Sequence, residues 1–299
     1  MDKKKYNQDW FIKRAFNSLK KISENKWDYS DSLLLYTSSG SKTYESLQQV
    51  NTPYFKLVTK PEREYLQNIA ENVANILPHD FEYIDLGPGT EHKEQLLFDE
   101  LKKQGKTFTY LPVDISDHFL SLAEDHALKQ NIPVKKIKGS FEELPEILGQ
   151  PIKPRFVSLG LTFSNYNPQE IIKLLKDIAG DNGYCFINAQ MRDRVDMDSL
   201  LKVYQEDAQN MADEKLQLIG LDSETDVTPR VVDDGFKVWC NIVNSNDKLR
   251  NIGIEENDKL LVFQSLRYTK DFMQKELEHE NYESFDIDSS FVAYLLKNK

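Results

Sequence analysis

Two glycines and a downstream aspartate carry the first chemical signal in this chain. Tyr83-Ile84-Asp85-Leu86-Gly87-Pro88-Gly89-Thr90 reads as a strand ending in a tight turn that opens a helix. Gly87 and Gly89 lack a Cβ, so backbone there can approach a ligand closely. A loop built for the pyrophosphate of a dinucleotide would want a third glycine three positions after Gly89, and His92 stands there instead. An adenosine-bearing ligand without a pyrophosphate therefore fits better than a dinucleotide, with a plain tight turn as the alternative. Leu111-Pro112-Val113-Asp114 closes the next strand. A carboxylate at that place can accept hydrogen bonds from both ribose hydroxyls; Asp114 is also a candidate N-cap for a helix starting at Ser116.

Two further segments sit where ligands meet open sheets. Gly139-Ser140-Phe141 follows the third strand, where an adenine could lie against the Phe141 ring and bond to backbone or to Ser140; core packing of Phe141 is the competing role. The fourth strand ends Ser158-Leu159-Gly160-Leu161-Thr162-Phe163-Ser164-Asn165-Tyr166. Ligands bind at the carboxyl ends of parallel strands, which places Asn165 toward a substrate amine or carboxylate. Capping the helix that begins at Pro168 is its alternative.

The elements required to position these residues are legible as alternating strands and helices. Phe81–Leu86, Thr107–Val113, Val134–Lys138, Arg155–Leu159 and Tyr184–Ala189 read as strands. Between them, Glu91–Lys103, Ser116–Lys129, Phe141–Leu148 and Pro168–Ala179 read as helices, making a doubly wound α/β sheet. A helix opens at Pro61-Glu62, since proline and carboxylates suit a first turn. An amphipathic helix is expected over residues 9–26, and loops at Ser38-Ser39-Gly40-Ser41-Lys42 and around Pro53. After Gln190 the pattern changes to a long helix over 198–216 and strands over 236–244 and 259–268. From Thr269 a capped helix leads to two strands, 282–287 and 291–296, able to complete the sheet as a terminal hairpin. The expected division is 61–195 plus 268–299 for the sheet domain, and 1–60 plus 196–267 for an accessory lobe.

Bulk properties exclude several classes. The 299 residues are 39% hydrophobic, enough for a substantial core. With 38 basic and 49 acidic residues the net charge is -11, which repels a phosphate backbone, so no nucleic-acid partner is expected. No run approaches the roughly 20 apolar residues of a membrane span, and the N-terminus lacks an export signal, so a cytoplasmic location is expected. Cys185 and Cys240 form no metal or redox motif, and the five histidines show no metal-ligand spacing, so no metal is expected. Oligomeric state is not readable.

Taken together, Gly87-Pro88-Gly89-Thr90-Glu91-His92-Lys93, Tyr110-Leu111-Pro112-Val113-Asp114-Ile115-Ser116 and Gly160-Leu161-Thr162-Phe163-Ser164-Asn165-Tyr166 resemble the histidine N-alpha-methyltransferase family of the ergothioneine pathway. Gly40-Ser41-Lys42-Thr43-Tyr44-Glu45, Thr59-Lys60-Pro61-Glu62 and Val203-Tyr204-Gln205-Glu206-Asp207 extend the resemblance over most of the chain. It implies a Rossmann-like class I methyltransferase sheet with a second, smaller α+β substrate lobe, and S-adenosylmethionine as cofactor. It also implies cofactor contacts from Gly87, Lys93, Asp114, Ser140 and Phe141, with Gly89 and Gly160 beside them. Ser140 stands where the family usually has an acidic residue.

On the acceptor side the resemblance implies Tyr54, Asn165 and Tyr204 as the grip on an amino acid's backbone groups, with Asn165 and Tyr204 nearest the reacting nitrogen. In Leu261-Val262-Phe263-Gln264-Ser265-Leu266-Arg267-Tyr268, the family's imidazole-recognising glutamate, two residues before the serine, is replaced by Phe263. A ring cannot accept the imidazole proton, and leaving that proton unpaired costs about 1–3 kcal/mol. The expected acceptor is then a small-molecule amine or amino acid with an apolar or aromatic side chain, lying against Phe263 and Ser265. An O-methyltransferase of the same fold, a nicotinamide-dependent oxidoreductase and a non-catalytic cofactor-binding protein are the rivals.

Overall fold

The computed structural model describes residues 5–90, 92–221 and 226–298. Glu91 and the side chains of Glu206 and Asp207 lie outside the described residues. In chain order the strands are β1 (Lys20–Ser23), β2 (Lys26–Asp28), β3 (Asp80–Leu86), β4 (Thr107–Asp114), β5 (Ile137–Lys138) and β6 (Arg155–Leu159). They continue with β7 (Tyr184–Gln190), β8 (Asp226–Val232), β9 (Gly235–Asn241), β10 (Lys259–Leu266), β11 (Tyr282–Phe285) and β12 (Phe291–Lys297). Contacts divide the chain into two compact units, residues 1–47 with 196–266 and residues 48–195 with 267–299. Residues 48–60 and Arg267, expected with the accessory lobe, therefore group with the large sheet.

The larger unit is a seven-stranded sheet in the order β11-β12-β7-β6-β3-β4-β5. β3 to β7 are parallel to one another, and β12 is antiparallel to β7 and to β11. The chain starts at β3, winds one way to β4 and β5, then returns past β3 to β6 and β7. The order reverses at β3 and β6, whose carboxyl ends carry the Gly87 and Gly160 turns. Both faces are covered, as a parallel sheet requires. Phe81 and Tyr83 of β3 pack with Ile69 and Val73, Phe98 and Ala123 on one side. Ile84 and Leu86 pack with Leu144, Ile171 and Leu175 on the other. Helix Pro168–Ala179 shows how local chemistry sets the frame. Asn167 accepts from the Gln169 and Glu170 N–H groups, Pro168 occupies the first turn, and Gly180 ends the helix at φ 67.

The smaller unit is a five-stranded sheet, β1-β2-β10-β9-β8, in which β2 of the N-terminal segment pairs in parallel with β10 of the insertion. Helix Met197–Leu218, capped by Asp196, belongs to the same unit. Its Lys215 is buried and donates to the carbonyls of Tyr29, Asp31 and Val262. Trp27 Nε1 donates to Asp258 at 3.1 Å, tying the first hairpin to the turn before β10.

Three expectations are corrected. The first helix spans Gln8–Ser18, and residues 20–28 form the β1–β2 hairpin, which leaves Ile22 exposed. Residues 38–47 form a helix despite their Ser/Gly content. Thr37 Oγ1 accepts from the Gly40 N–H, and Gly40 lies so close to the Leu35 carbonyl that a Cβ would stand 2.1 Å from its oxygen. Pro53 and Tyr54 are helical and lead through a wide turn, Phe55–Thr59, into helix Lys60–Ile76, because the proline falls in a first turn. Strand β8 was not anticipated.

Candidate active site

Gly87 and Gly89 both adopt the left-handed backbone, at φ 70 and φ 65. At Gly87 a Cβ would stand 3.3 Å from Thr162 Oγ1 and 3.7 Å from Phe141 Cζ, while at Gly89 it would enter open space. The Gly87 turn after β3 therefore lies against the Thr162 segment after β6, at the reversal of strand order where open α/β sheets take ligands.

Acidic groups gather around this turn. Asp85 is buried and accepts from the Tyr110 hydroxyl at 2.8 Å. Burial, reinforced by the nearby charge of Glu94, pushes its pKa up to about 7. Asp114, at the end of β4, is buried and likewise pushed up to about 7 by burial, against the pull of backbone N–H groups. Its Oδ1 accepts from Ser116 N at 2.8 Å, so it shapes the entry to helix Asp117–Lys129, whose N-cap residue is Ser116. Buried carboxylates held near neutrality are groups that a hydroxyl donor or a cation would stabilise in ionised form. Together with the open space at Gly89, this is a cradle suited to an adenosyl sulfonium.

The remaining residues expected on the donor side divide by surroundings. Lys93 forms an ion pair with the fully buried Glu62, Nζ to Oε2 2.5 Å. Glu62 Oε1 also accepts from Asn188 Nδ2 at 2.8 Å and lies 3.5 Å from where a Gly160 Cβ would be. Ser140 accepts from the Glu143 backbone N–H in a capping box, while Glu143 accepts from Ser140 N at 3.3 Å. Phe141 is buried in the core with its ring against the Gly87 turn.

Asn165 ends the short helix Leu161–Asn165 and is half-buried, and no described residue hydrogen-bonds its carboxamide. Capping of helix Pro168–Ala179 falls to Asn167, which removes the competing role for Asn165. Tyr54 is buried at the start of the wide turn Phe55–Thr59.

In the smaller unit, the fold brings Tyr204, Phe263 and Ser265 together. The Tyr204 hydroxyl donates to Ser265 Oγ at 2.9 Å, and its ring lies 5.9 Å from that of Phe263 and 4.8 Å from that of Phe236. A bulge between Leu261 and Phe263 sets which β10 side chains meet the helix.

Sequence reasoning missed Glu62 and Asn188. Glu62 lay in a quoted motif as an ordinary first-turn carboxylate, and only the fold shows it buried against Lys93. It also missed the gathering of His92 and His126 on Glu94, because those residues are far apart in sequence and share no motif.

The doubly wound sheet, its terminal antiparallel hairpin and the glycine turn define a Rossmann-like class I methyltransferase fold. Residues 19–213 match the family described as histidine-specific methyltransferase, SAM-dependent, and the chain belongs to that family. It is 26% identical over 147 residues to a histidine N-alpha-methyltransferase of Mycobacterium tuberculosis, covering 48% of this chain and 44% of the relative. It is 28% identical over 153 residues to the N-methyltransferase dtpB of Aspergillus flavus, covering 50% and 39%. The matched segments thus span less than half the length of these relatives. Among solved structures, the PH0226 protein from Pyrococcus horikoshii is similar at 12% identity and a TM-score of 0.49, covering 88% of this chain and 100% of that one. No helix among the described residues is long and apolar enough to cross a membrane.

Proposed function

We propose that the chain is an S-adenosylmethionine-dependent N-methyltransferase acting on the amino group of a small molecule, an amino acid or related amine with an apolar or aromatic side chain. The observation that carries the reading is the pair of left-handed glycines at the reversal of the sheet, followed at the end of the next strand by the buried carboxylate of Asp114. S-adenosylmethionine supplies a methyl group already activated on a sulfonium. Gly87 and Gly89 would let backbone approach it, Asp114 would accept from the ribose hydroxyls, and Lys93 is assigned to it by the family resemblance. Transfer is an in-line displacement by a neutral amine, so the work of the residues is orientation and desolvation.

On the acceptor, Asn165 offers a carboxamide that no described residue engages. Tyr204, whose hydroxyl proton is directed at Ser265, offers oxygen lone pairs to an amine N–H. Tyr54 is assigned to acceptor binding by the family resemblance. Phe263 at the imidazole-recognising position argues against histidine, because a buried aromatic neighbour leaves the ring nitrogens without a partner.

Thermal melting with added cofactor product tests the donor half. S-adenosylhomocysteine is expected to raise the melting temperature and NAD to leave it unchanged, with Asp114→Ala abolishing the rise. Stabilisation by NAD alone would contradict the reading.

A further inference from the structure

Two histidines with no shared motif converge on one buried carboxylate beside the glycine turn. His92 follows the turn, Glu94 opens helix Glu94–Lys103, and His126 lies on helix Asp117–Lys129. His126 Nδ1 is 3.0 Å and His92 Nδ1 3.6 Å from the same Glu94 oxygen, Oε1. One ligand atom from each residue lies within 4.8 Å of the others, a separation one ion can span. The two imidazoles stack at 4.0 Å between centroids and 26° between planes. Glu94 is 3% exposed, whereas His92 is 36% exposed, leaving a way in from solvent.

The surroundings supply what a ligand shell needs. His126 Nε2 is 2.8 Å from Gln95 Oε1, so with Nε2 protonated it donates there and its Nδ1 lone pair faces Glu94. Outer hydrogen bonds of this kind fix the tautomer of metal-binding histidines. Gln130 Nε2 lies 3.1 Å from the same nitrogen and serves the opposite tautomer. With Nδ1 unprotonated, a lone pair faces a carboxylate oxygen at hydrogen-bond distance, an arrangement that only a cation between them makes favourable. A metal ion supplies that cation; without one, the opposite tautomer donates from Nδ1–H to Glu94 and accepts from Gln130.

We propose that His92, Glu94 and His126 form a binding site for a divalent transition-metal ion of the zinc type, linking the end of the glycine turn to helix Asp117–Lys129. Two imidazole nitrogens and one carboxylate oxygen are the donors such ions prefer, and three protein ligands leave a coordination position open.

Cobalt(II) titration of the untagged, metal-stripped full chain, followed by visible absorption and calorimetry, tests this. The expected result is one cobalt ion per chain with low-coordinate d–d bands, bleached by added zinc. Binding is expected to be lost in His126→Gln and in His92→Ala, and kept in His79→Ala, which alters an exposed histidine outside the cluster. His92→Ala removes a partly exposed ring, so its melting temperature in chelator should match that of the unaltered chain and loss of binding cannot be put down to unfolding. Absence of stoichiometric binding, or equal binding by His92→Ala, would overturn the proposal and leave hydrogen bonding to Glu94 as the role of the cluster.

Discussion

Glu62 and Lys93 form an ion pair at 2.5 Å that joins helix Lys60–Ile76 to the residue just before helix Glu94–Lys103. Glu62 is fully buried and Lys93 is 20% exposed. The pair anchors the far end of the glycine turn, so the shape of the cofactor loop depends on a helix that precedes the first strand of the sheet. Lys93 thereby holds the turn through a partner outside it.

Removing one charge from this pair leaves the other poorly compensated. Glu62→Gln is expected to lower unfolding stability by about 2–4 kcal/mol, toward the lower end because Lys93 retains some solvent. Lys93→Met in the Glu62→Gln background should recover part of that loss. Urea denaturation of both single variants and the double variant measures the coupling, and additive losses would show that the two side chains do not act as a pair.

The two glycines separate fold from binding. Alanine at either position pays the left-handed backbone penalty of about 1–2 kcal/mol. At Gly87 the new methyl meets Thr162 and Phe141, so Gly87→Ala should fall mainly on stability. At Gly89 it enters open space, so Gly89→Ala should weaken S-adenosylhomocysteine binding by tenfold or more while melting changes less. Calorimetric titration beside thermal melting distinguishes the two.

Asp85 and Asp114 set a pH dependence with a definite sign. Burial raises both folded pKa values to about 7, above the ordinary carboxylate range. Between about pH 4 and pH 7 the folded chain binds more protons than the unfolded one, so stability from these groups is full below that window and is lost as pH rises through 7. The cofactor-free chain should therefore melt at lower temperature at pH 8 than at pH 6, with a shallower slope in Asp114→Asn. Cofactor binding runs the other way. Ribose hydroxyls need the ionised carboxylate, so S-adenosylhomocysteine affinity should fall by up to about tenfold per pH unit below 7. Calorimetry in buffers of different ionisation enthalpy would detect the accompanying proton release.

Phe263→Glu restores an acceptor for an imidazole proton at the position where the family carries one. It should raise the rate on histidine relative to an aromatic amino acid by roughly ten- to a hundredfold, the worth of about 1–3 kcal/mol. Competition between the two amines in one reaction measures the ratio directly.

Much of this arrangement was readable from local sequence, for reasons that can be named. The parallel strands β3, β4, β6 and β7 are short apolar runs bounded by turn residues, and Pro168 with Gly180 marks both ends of one helix, although its cap is Asn167 and not Asn165. The glycine turn and Asp114 announce themselves because each sits at the end of a strand. Elements stabilised by distant contacts were harder. Helix Ser38–Leu47 depends on Thr37 and on close approach to the Leu35 carbonyl, which composition does not reveal. Glu62 looked like a first-turn carboxylate because its partners Lys93 and Asn188 lie far along the chain. His92 and His126 needed two helices to bring them to Glu94. Ser140 is a case where the reading from sequence and the local geometry compete, since its hydroxyl already serves a capping box.

Incubation of the chain with methyl-labelled S-adenosylmethionine and an equimolar panel of amino acids and small amines, resolved by mass spectrometry, tests the central claim most directly. Label is expected on the amino nitrogen of an apolar or aromatic amino acid or related amine, lost in Asp114→Ala and in Asn165→Ala. Methylated histidine as the main product would contradict the acceptor reading, and label on no amine would contradict the function itself.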